Sequence, residues 1–455
     1  MAKKIHISMI NLWCNKNLVD SQLFLWKLLS EDWDKIEYFS DPYDPEVQLV
    51  LLNTCWFISS GREEMFQTIE QLLYAQKKIC LIGCAVQYFE KILKNVKKQD
   101  DCIDAELLHW EDVLKNDSIS YLSRNDLSTA NLENLIKWKS SQTFDDFCRY
   151  SAPRLLTNYE KHYEYLKIAE WCNNSCAFCI IPKIRWKLTS LPINTVIEEA
   201  WNLLKQWIQE LIIIAQDTMR YGTDFSSSSQ LLSLLSKLDK LPYDFKYRVL
   251  YLYPDILTQK HLEEFSKLEK FIPYFDIPLQ HISPKLLKSM WRFYDDKMIY
   301  SLLDTIRKLF PQSFVRTNII IWFPWETESD MELLQDFLSK DYFDNIALFE
   351  YHDEPLAPSF SFSDKVEDDI IHKRFKVIRK QVDSLLAKRE KNRKSKNQIG
   401  FVEDIFQKWK EYYLSVRPEL HCPEIDFIDE IKLSSVVECL SWDEIGVGSK
   451  ILYLA

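Results

Sequence analysis

The sequence predicts an α/β protein with an N-terminal parallel-sheet α/β domain, a partial (βα)6 TIM-like barrel and a small C-terminal β domain. Strand-like apolar runs alternate with helical segments over residues 4–125, and again from residue 163 to residue 351. Such alternation is typical of parallel strands with helices on the faces of the sheet. Residues 398–455 instead carry short β-like runs, which indicates a separate small β domain.

The composition is that of a globular protein. Hydrophobic residues make up 47% and charged residues 27% of the 455 residues, a length that suits two or three domains. No apolar stretch is long enough to cross a bilayer, and the first residues lack the apolar region of a signal peptide. We therefore expect a cytoplasmic protein without a membrane partner. The net charge of −11 argues weakly against broad nucleic-acid binding.

Three cysteines follow three predicted strands of the N-terminal domain. The strands and the cysteines after them are 6–12 with Cys14, 47–53 with Cys55, and 78–82 with Cys84. Sites in parallel sheets form beyond the carboxyl ends of the strands, so these thiols are predicted to meet although they are far apart in sequence. Three unrelated buried cysteines are the alternative. Cys80 lies inside the third strand and is expected in the core.

A second group of thiols lies at the start of the predicted barrel. Cys172, Cys176 and Cys179 have C-x3-C-x2-C spacing and follow the strand-like run 163–169. Three cysteines this close cannot all pair with one another as disulfides, but as thiolates they can converge on one iron–sulfur cluster. A four-iron cluster with three protein ligands keeps one iron open for a small molecule. A zinc site or a chance arrangement is the alternative, although zinc usually shows paired C-x2-C units and four ligands.

The predicted barrel has six strands, fewer than the eight of a closed barrel. They are 163–169, 210–215, 246–252, 274–279, 314–321 and 345–351. Ligands are expected at the carboxyl ends of such strands. Polar residues stand at or near these ends: Gln216, Asp217, Arg248 and Gln280. Taken singly, each of them is better explained as an ordinary polar loop residue.

The C-x3-C-x-F-C loop at the end of a first barrel strand resembles the radical S-adenosylmethionine (SAM) enzymes. The resemblance implies a 4Fe-4S cluster on Cys172, Cys176 and Cys179, whose open iron binds SAM. An electron from the cluster then cleaves SAM to a 5′-deoxyadenosyl radical. Two cysteine trios, one of them in an N-terminal α/β domain, resemble the methylthiotransferases of this superfamily. That resemblance implies a second 4Fe-4S cluster, on the first trio, which delivers sulfur.

Four local runs are similar to one branch of the methylthiotransferases, which modifies the β-carbon of an aspartate in the twelfth small-subunit ribosomal protein. They are residues 15–21, 176–182, 215–222 and 276–281. The branch that modifies a tRNA adenosine typically has Gln-Asn where Gln216-Asp217 stands. A tRNA adenosine methylthiotransferase remains the alternative. A non-enzymatic protein, either a catalytically impaired paralogue or a redox carrier, is a further alternative.

The same resemblance implies domains and partners. The expected boundaries are 1–125 for the N-terminal methylthiotransferase domain, 126–157 for a linker, 158–390 for the radical SAM core and 391–455 for a TRAM-like β domain. It places five residues near the bound SAM: Phe178, Gln216, Asp217, Arg248 and Gln280. It also implies a flavodoxin- or ferredoxin-like external reductant, a sulfur donor and the ribosomal protein as substrate.

Tryptophan stands where the family pattern has glycine. The chain has 15 tryptophans and 6 glycines, whereas average usage predicts roughly 30 glycines. The positions concerned are Trp13, Trp56, Trp171, Trp186, Trp322 and Trp325, with Trp26 and Trp207 interpreted in the same way. Glycine serves where φ is positive or where a ligand approaches the backbone. We interpret these positions as encoded by UGA codons, which the organism that carries the gene reads as glycine. A disabled paralogue, in which the tryptophans are real, is the alternative. No glycine pattern surrounds Trp110, Trp138 and Trp409, which are expected to be genuine tryptophans.

Overall fold

The computed structural model describes most of the chain. The described residues are 4–12, 14–32, 35–56, 59–91, 113, 116–121, 154–157, 161–184, 187–354, 356–366, 368–409, 411–440 and 445–454. The predictions for Trp13, Trp110, Trp138 and Trp186 lie outside these residues, and so does most of the predicted linker at 126–157.

The N-terminal sheet is five-stranded and parallel, in the order β2-β1-β3-β4-β5. Its strands are β1 Ile5–Asn11, β2 Ile36–Tyr38, β3 Leu49–Thr54, β4 Lys78–Gly83 and β5 Ile119–Tyr121. Its helices are α1 Asn15–Asp32, α2 Ser59–Tyr74 and α3 Cys84–Lys91. Every residue of β3 is buried, as expected for a parallel strand covered on both faces. Cys80 in β4 is also fully buried, as predicted.

The central sheet is the predicted partial barrel, with six parallel strands in the order β13-β12-β11-β10-β9-β6. The strands are β6 Tyr163–Lys167, β9 Glu210–Ile214, β10 Lys246–Val249, β11 Phe271–Gln280, β12 Phe314–Ile321 and β13 Asn345–Glu350, and a short pair, β7 Ala169–Glu170 and β8 Thr189–Ser190, lies beside them. β10 is shorter than the predicted strand 246–252, because Tyr251 takes a left-handed φ of +59°.

Helices connect the barrel strands along the chain. They are α4 Ile181–Ile184, α5 Ile193–Leu204, α6 Leu231–Leu238, α7 Gln259–Phe265, α8 Pro284–Ser289, α9 Asp296–Leu309 and α10 Glu328–Ser339. The largest apolar cluster of the described residues packs α5 to α10 against the outside of the sheet, whereas Ile184 of α4 packs in a cluster with the N-terminal domain. A long helix, α11 Asp368–Lys394, leads out of the barrel. Within the described residues, no helix is both long enough and apolar enough to span a membrane.

The C-terminal part is an antiparallel five-stranded sheet in the order β16-β15-β14-β18-β17, which confirms the predicted small β domain. Its strands are β14 Asn397–Lys408, β15 Glu411–Pro418, β16 Asp429–Lys432, β17 Val436–Cys439 and β18 Lys450–Leu454. The connection from β15 to β16 enters the amino end of the barrel. There Cys422 is fully buried and shares an apolar cluster with Tyr165, Tyr274 and Phe314. The β domain therefore closes one end of the barrel.

Candidate functional site

The first cysteine trio lies at the carboxyl edge of the N-terminal sheet. β1, β3 and β4 are neighbours, and β3 ends with Thr54 paired to Gly83 of β4. Cys55 and Cys84 are the next residues, while Cys14 stands between the end of β1 and the start of α1. Adjacent strands lie about 4.8 Å apart, so the fold brings the three positions to one edge of the sheet. All three cysteines are thiols rather than disulfides.

A polar network that the sequence did not reveal holds this edge together. Asn53 Nδ2 donates to Asn17 O (3.0 Å), and Asn17 Nδ2 donates to Thr54 O (3.0 Å). Thr54 Oγ1 donates to Ile82 O (2.6 Å). Gly83 has a φ of +93°, and a Cβ there would lie 2.3 Å from Asn53 Oδ1. Only glycine therefore fits the position before Cys84.

The second trio lies in the loop after β6, at the carboxyl end of the barrel. Asn174 N donates to Cys172 Sγ (3.3 Å), and Cys179 N donates to Cys176 O (3.1 Å). Cys176 Sγ lies 3.8 Å from Arg292 Nη1 and 3.9 Å from Tyr253 OH. The backbone of this loop is held from both sides, since Ala177 N donates to Met290 O and Ala177 O accepts from Ser359 N.

The three thiols of the loop are partly buried and close enough to influence one another electrostatically. Burial raises the pKa of Cys172 to about 12, and the negative charge of Asp217 adds to the effect. Burial likewise raises the pKa of Cys179, with further contributions from Cys176 and Cys172. A raised pKa disfavours the free thiolate near neutral pH, whereas a bound metal deprotonates a thiol outright. This donor set therefore suits a metal centre better than a free nucleophile.

In the described part of the chain, no three His, Cys, Asp or Glu side chains converge closely enough to hold one metal ion. A four-iron cluster binds each thiolate at a different corner and therefore needs a wider spacing than a zinc ion.

Polar groups beside the cysteine loop form a buried cradle. Asp217 is 1% exposed and accepts from Asn174 Nδ2 (2.7 Å), while Arg220 Nε lies 3.2 Å from its carboxylate. Burial raises the pKa of Asp217 to about 6, although Asn174 and Arg220 oppose the rise. Among the described residues, nothing donates a hydrogen bond to Asp217 Oδ1 or Gln216 Oε1. These buried acceptors are suited to a ligand with N–H donors.

Arg292 supplies the opposite charge on the other side of the loop. Its guanidinium lies 4.3 Å from the ring centroid of Tyr253, and Nη2 donates to Pro278 O (2.7 Å). Its buried Nε has no acceptor among the described residues. Buried acceptors and a buried cationic donor thus flank the same cysteines. SAM carries both an ammonium and a carboxylate on its methionine part, so the residues present fit this cofactor.

Two of the other predicted SAM contacts lie in this region, and one does not. Phe178 is in the cysteine loop, 5.9 Å below the Arg292 guanidinium, and Gln280 ends β11 with a φ of +70°. Arg248 points toward the amino end of the barrel, where Nε donates to Glu210 Oε1 (2.5 Å) and Nη2 to Glu419 O (2.9 Å). These donors bind Glu210 of β9 and the β15–β16 connection at the opposite end of the strands, and the expectation that Arg248 lies near SAM stays a prediction.

Sequence reasoning missed Arg292, Tyr253, Arg220 and Asn174. Arg220 donates to Asn174 Oδ1 (2.9 Å) and pairs with Asp255. The one signal in the sequence was proximity to recognised positions: Asn174 lies within the cysteine loop and Arg220 stands three residues after Asp217. Nothing local distinguishes Arg292, which is 116 residues from Cys176.

The N-terminal sheet docks on the carboxyl end of the barrel. Lys16, two residues after Cys14, lies 3.4 Å from Ala215 O at the end of β9, and its ammonium is 4.1 Å from the ring centroid of Tyr251. Ile180, next to Cys179, belongs to the same apolar cluster as Cys84. The two cysteine trios therefore border a common interface between the domains.

Comparison with known proteins identifies the family. Residues 6–104 match the uncharacterized protein family UPF0004, and residues 166–338 match the Radical SAM superfamily. The chain is 33% identical over 451 residues to the ribosomal protein uS12 methylthiotransferase RimO of Chlamydia pneumoniae, with 95% of this chain and 89% of the relative covered. The RimO of Clostridium tetani (strain Massachusetts / E88) is 32% identical over 467 residues, with 98% of each chain covered. This chain belongs to the RimO family of methylthiotransferases. The predicted resemblance to the ribosomal-protein branch is thereby confirmed.

Solved structures agree with the fold of this RimO-family enzyme. The radical SAM methyltransferase TsrM from Kitasatospora setae, with tryptophan substrate and a SAM analog bound, aligns with a TM-score of 0.53 at 10% identity, covering 78% of this chain and 74% of that one. The cobalamin-dependent radical SAM enzyme OxsB gives a TM-score of 0.50 at 11% identity, covering 78% and 54%. At this identity the likeness concerns the fold alone.

The chain is thus a radical SAM methylthiotransferase, an enzyme whose cofactors are 4Fe-4S clusters and SAM. The cofactor prediction is confirmed at this level.

Proposed function

We propose that this enzyme methylthiolates the β-carbon of an aspartate in ribosomal protein uS12. In this proposal Cys172, Cys176 and Cys179 hold the cluster that binds SAM, and Cys14, Cys55 and Cys84 hold the sulfur-delivering cluster. The observation that carries the proposal is the meeting of two sheet edges, each bearing one cysteine trio, at one domain interface. A simple electron carrier would need neither the second trio nor the buried polar cradle.

The side chains around the second trio have separate tasks in this proposal. When bound, the cluster and SAM supply the radical that removes hydrogen from the substrate carbon. Asp217 and Gln216 would accept hydrogen bonds from the ammonium of SAM, and the Arg292 guanidinium would hold its carboxylate. Tyr253 and Phe178 keep Arg292 in place through ring contacts at 4.3 and 5.9 Å.

Exclusion of water is the contribution of the neighbouring domains. The β15–β16 connection fills the amino end of the barrel around Cys422, and α1 covers part of the carboxyl end through Lys16. Arg62 of α2 also bonds Glu354 after β13, with Nη1 2.8 Å from Oε1. A dry interior protects reactive intermediates from side reactions.

The reaction consumes an electron, a sulfur atom and the methyl group of a further SAM. We therefore propose an external reductant of the flavodoxin or ferredoxin type and a separate sulfur donor. Because the proposed substrate is a ribosomal protein, we place the enzyme in the cytoplasm.

Single cysteine variants, reconstituted with iron and sulfide without oxygen, test the proposal. The unaltered chain should bind about eight irons, and Cys55→Ala and Cys176→Ala about four each. Cys55→Ala should still cleave SAM but form no methylthio product, whereas Cys176→Ala should do neither. Cys80→Ala, which removes an equally buried thiol outside both trios, is the matched control and should keep about eight irons.

The product decides between the two substrate classes. Mass spectrometry should find methylthio-aspartate in a uS12 peptide after incubation with the enzyme, SAM and reductant. Methylthio-adenosine in tRNA, with unmodified uS12, would contradict the proposal. Eight irons retained in Cys55→Ala would remove the role assigned to the first trio.

A further inference from the structure

The backbone separates the tryptophans of this chain into two groups. Six of the nine that the structure describes have a left-handed φ: Trp171 (+66°), Trp207 (+69°), Trp291 (+58°), Trp322 (+69°), Trp325 (+68°) and Trp409 (+53°). They make up half of the twelve non-glycine residues with positive φ in the described part of the chain. A bulky side chain is a genuine outlier in this region, which glycine occupies at little cost.

Packing accounts for only some of the indoles at these positions: the rings of Trp322 and Trp325 lie against Phe375 and Phe362. Trp207 is 88% and Trp409 is 96% exposed, so their rings gain almost nothing from burial. Trp171 and Trp322 are only 6% and 2% exposed, yet their Nε1 atoms have no acceptor within the described residues. A buried tryptophan normally finds a partner for this N–H group.

The hydrogen bonds that hold two of these turns involve only the backbone of the tryptophan. Trp322 N donates to Glu326 Oε2 (2.7 Å), and Trp325 N donates to Asp364 O (3.1 Å). Any residue with an N–H group makes such bonds. Trp171 precedes Cys172 just as Gly83, with a φ of +93°, precedes Cys84. In the first trio, a glycine with positive φ precedes a cysteine, whereas a tryptophan with positive φ holds the corresponding place in the second trio.

We infer that these six positions are glycine in the protein as its host makes it, because the host reads the UGA codon as glycine. The inference corrects the expectation for Trp409, which had no glycine pattern around it, and adds Trp291. Trp26 and Trp201 lie inside α1 and α5, and Trp56 has no positive φ, so the backbone gives no support for glycine at these three positions.

The codons of the gene and the protein purified from its native organism, the host, test the inference directly. All six codons should be UGA, and mass spectrometry of peptides from the host should show glycine at position 171. A UGG codon at any of the six positions, or tryptophan in the host peptide, overturns the inference.

Stability gives a second test that does not depend on activity. In the full chain, the double variant Trp207→Gly/Trp409→Gly loses almost no packing and relieves two left-handed residues, so its apparent Tm should rise by about 2 °C or more. Trp201→Gly is the matched control: it opens a helix interior and removes a ring 5.0 Å from Tyr243, so it should lower the Tm. A Tm that stays equal or falls in the double variant overturns the inference.

Discussion

Removal of Arg417 should destabilise the barrel and the β domain together. This side chain is fully buried where the two meet. Nε donates to Glu403 Oε1 (2.6 Å), Nη2 to Glu210 Oε2 (2.7 Å) and Nη1 to His421 O (2.8 Å). Arg417→Ala leaves the fully buried Glu210 with Arg248 alone and takes this donor from the partly buried Glu403. Breaking a buried pair of this kind costs about 3–5 kcal/mol. A loss of this size is a large part of the 5–15 kcal/mol that typically separates folded from unfolded chains.

Urea unfolding followed by circular dichroism measures this loss. Arg417→Lys should fall between the parent and the alanine variant, because it keeps the charge but cannot bond three acceptors at once. Lys408→Ala is the control, since Lys408 pairs with Glu430 on the surface and both side chains are about half exposed. It should cost less than about 1 kcal/mol. If Arg417→Ala costs no more than Lys408→Ala, the role of the buried network is refuted.

Two further predictions concern pH and the first cysteine trio. Burial, followed by the charge of Arg417, lowers the pKa of His162 to about 3, whereas an unfolded histidine titrates near 6.5. The contribution of His162 to the free energy of unfolding is therefore fully present above pH 6.5 and falls as the pH drops, by about 2 kcal/mol at pH 5. In urea titrations, His162→Gln should make the free energy of unfolding less dependent on pH. An unchanged pH dependence would contradict the assignment. In Gly83→Ala the new Cβ would lie 2.3 Å from Asn53 Oδ1 and 2.7 Å from Thr54 O. The variant should lose about 2 kcal/mol or more of its free energy of unfolding and bind about four irons instead of eight. A full count of eight irons would show that the first cysteine trio tolerates the displaced backbone.

The sequence by itself determined the features that depend on neighbours along the chain. The spacing of Cys172, Cys176 and Cys179 places three thiols in one loop whatever surrounds them. The alternation of apolar runs and helical segments fixed the parallel sheets, and parallel pairing carries Cys14, Cys55 and Cys84 to the same edge. Both conclusions follow from local periodicity and from the direction of the strands.

The tertiary structure decided which distant side chains meet. Arg248 and Arg292 are both buried arginines of the barrel, yet one binds the β domain at the amino ends of the strands and the other lies beside Cys176. The backbone likewise separated Trp291 and Trp409 from Trp201. A contact across 116 residues, or the sign of φ in a turn, is fixed only when the packed elements constrain the chain between them.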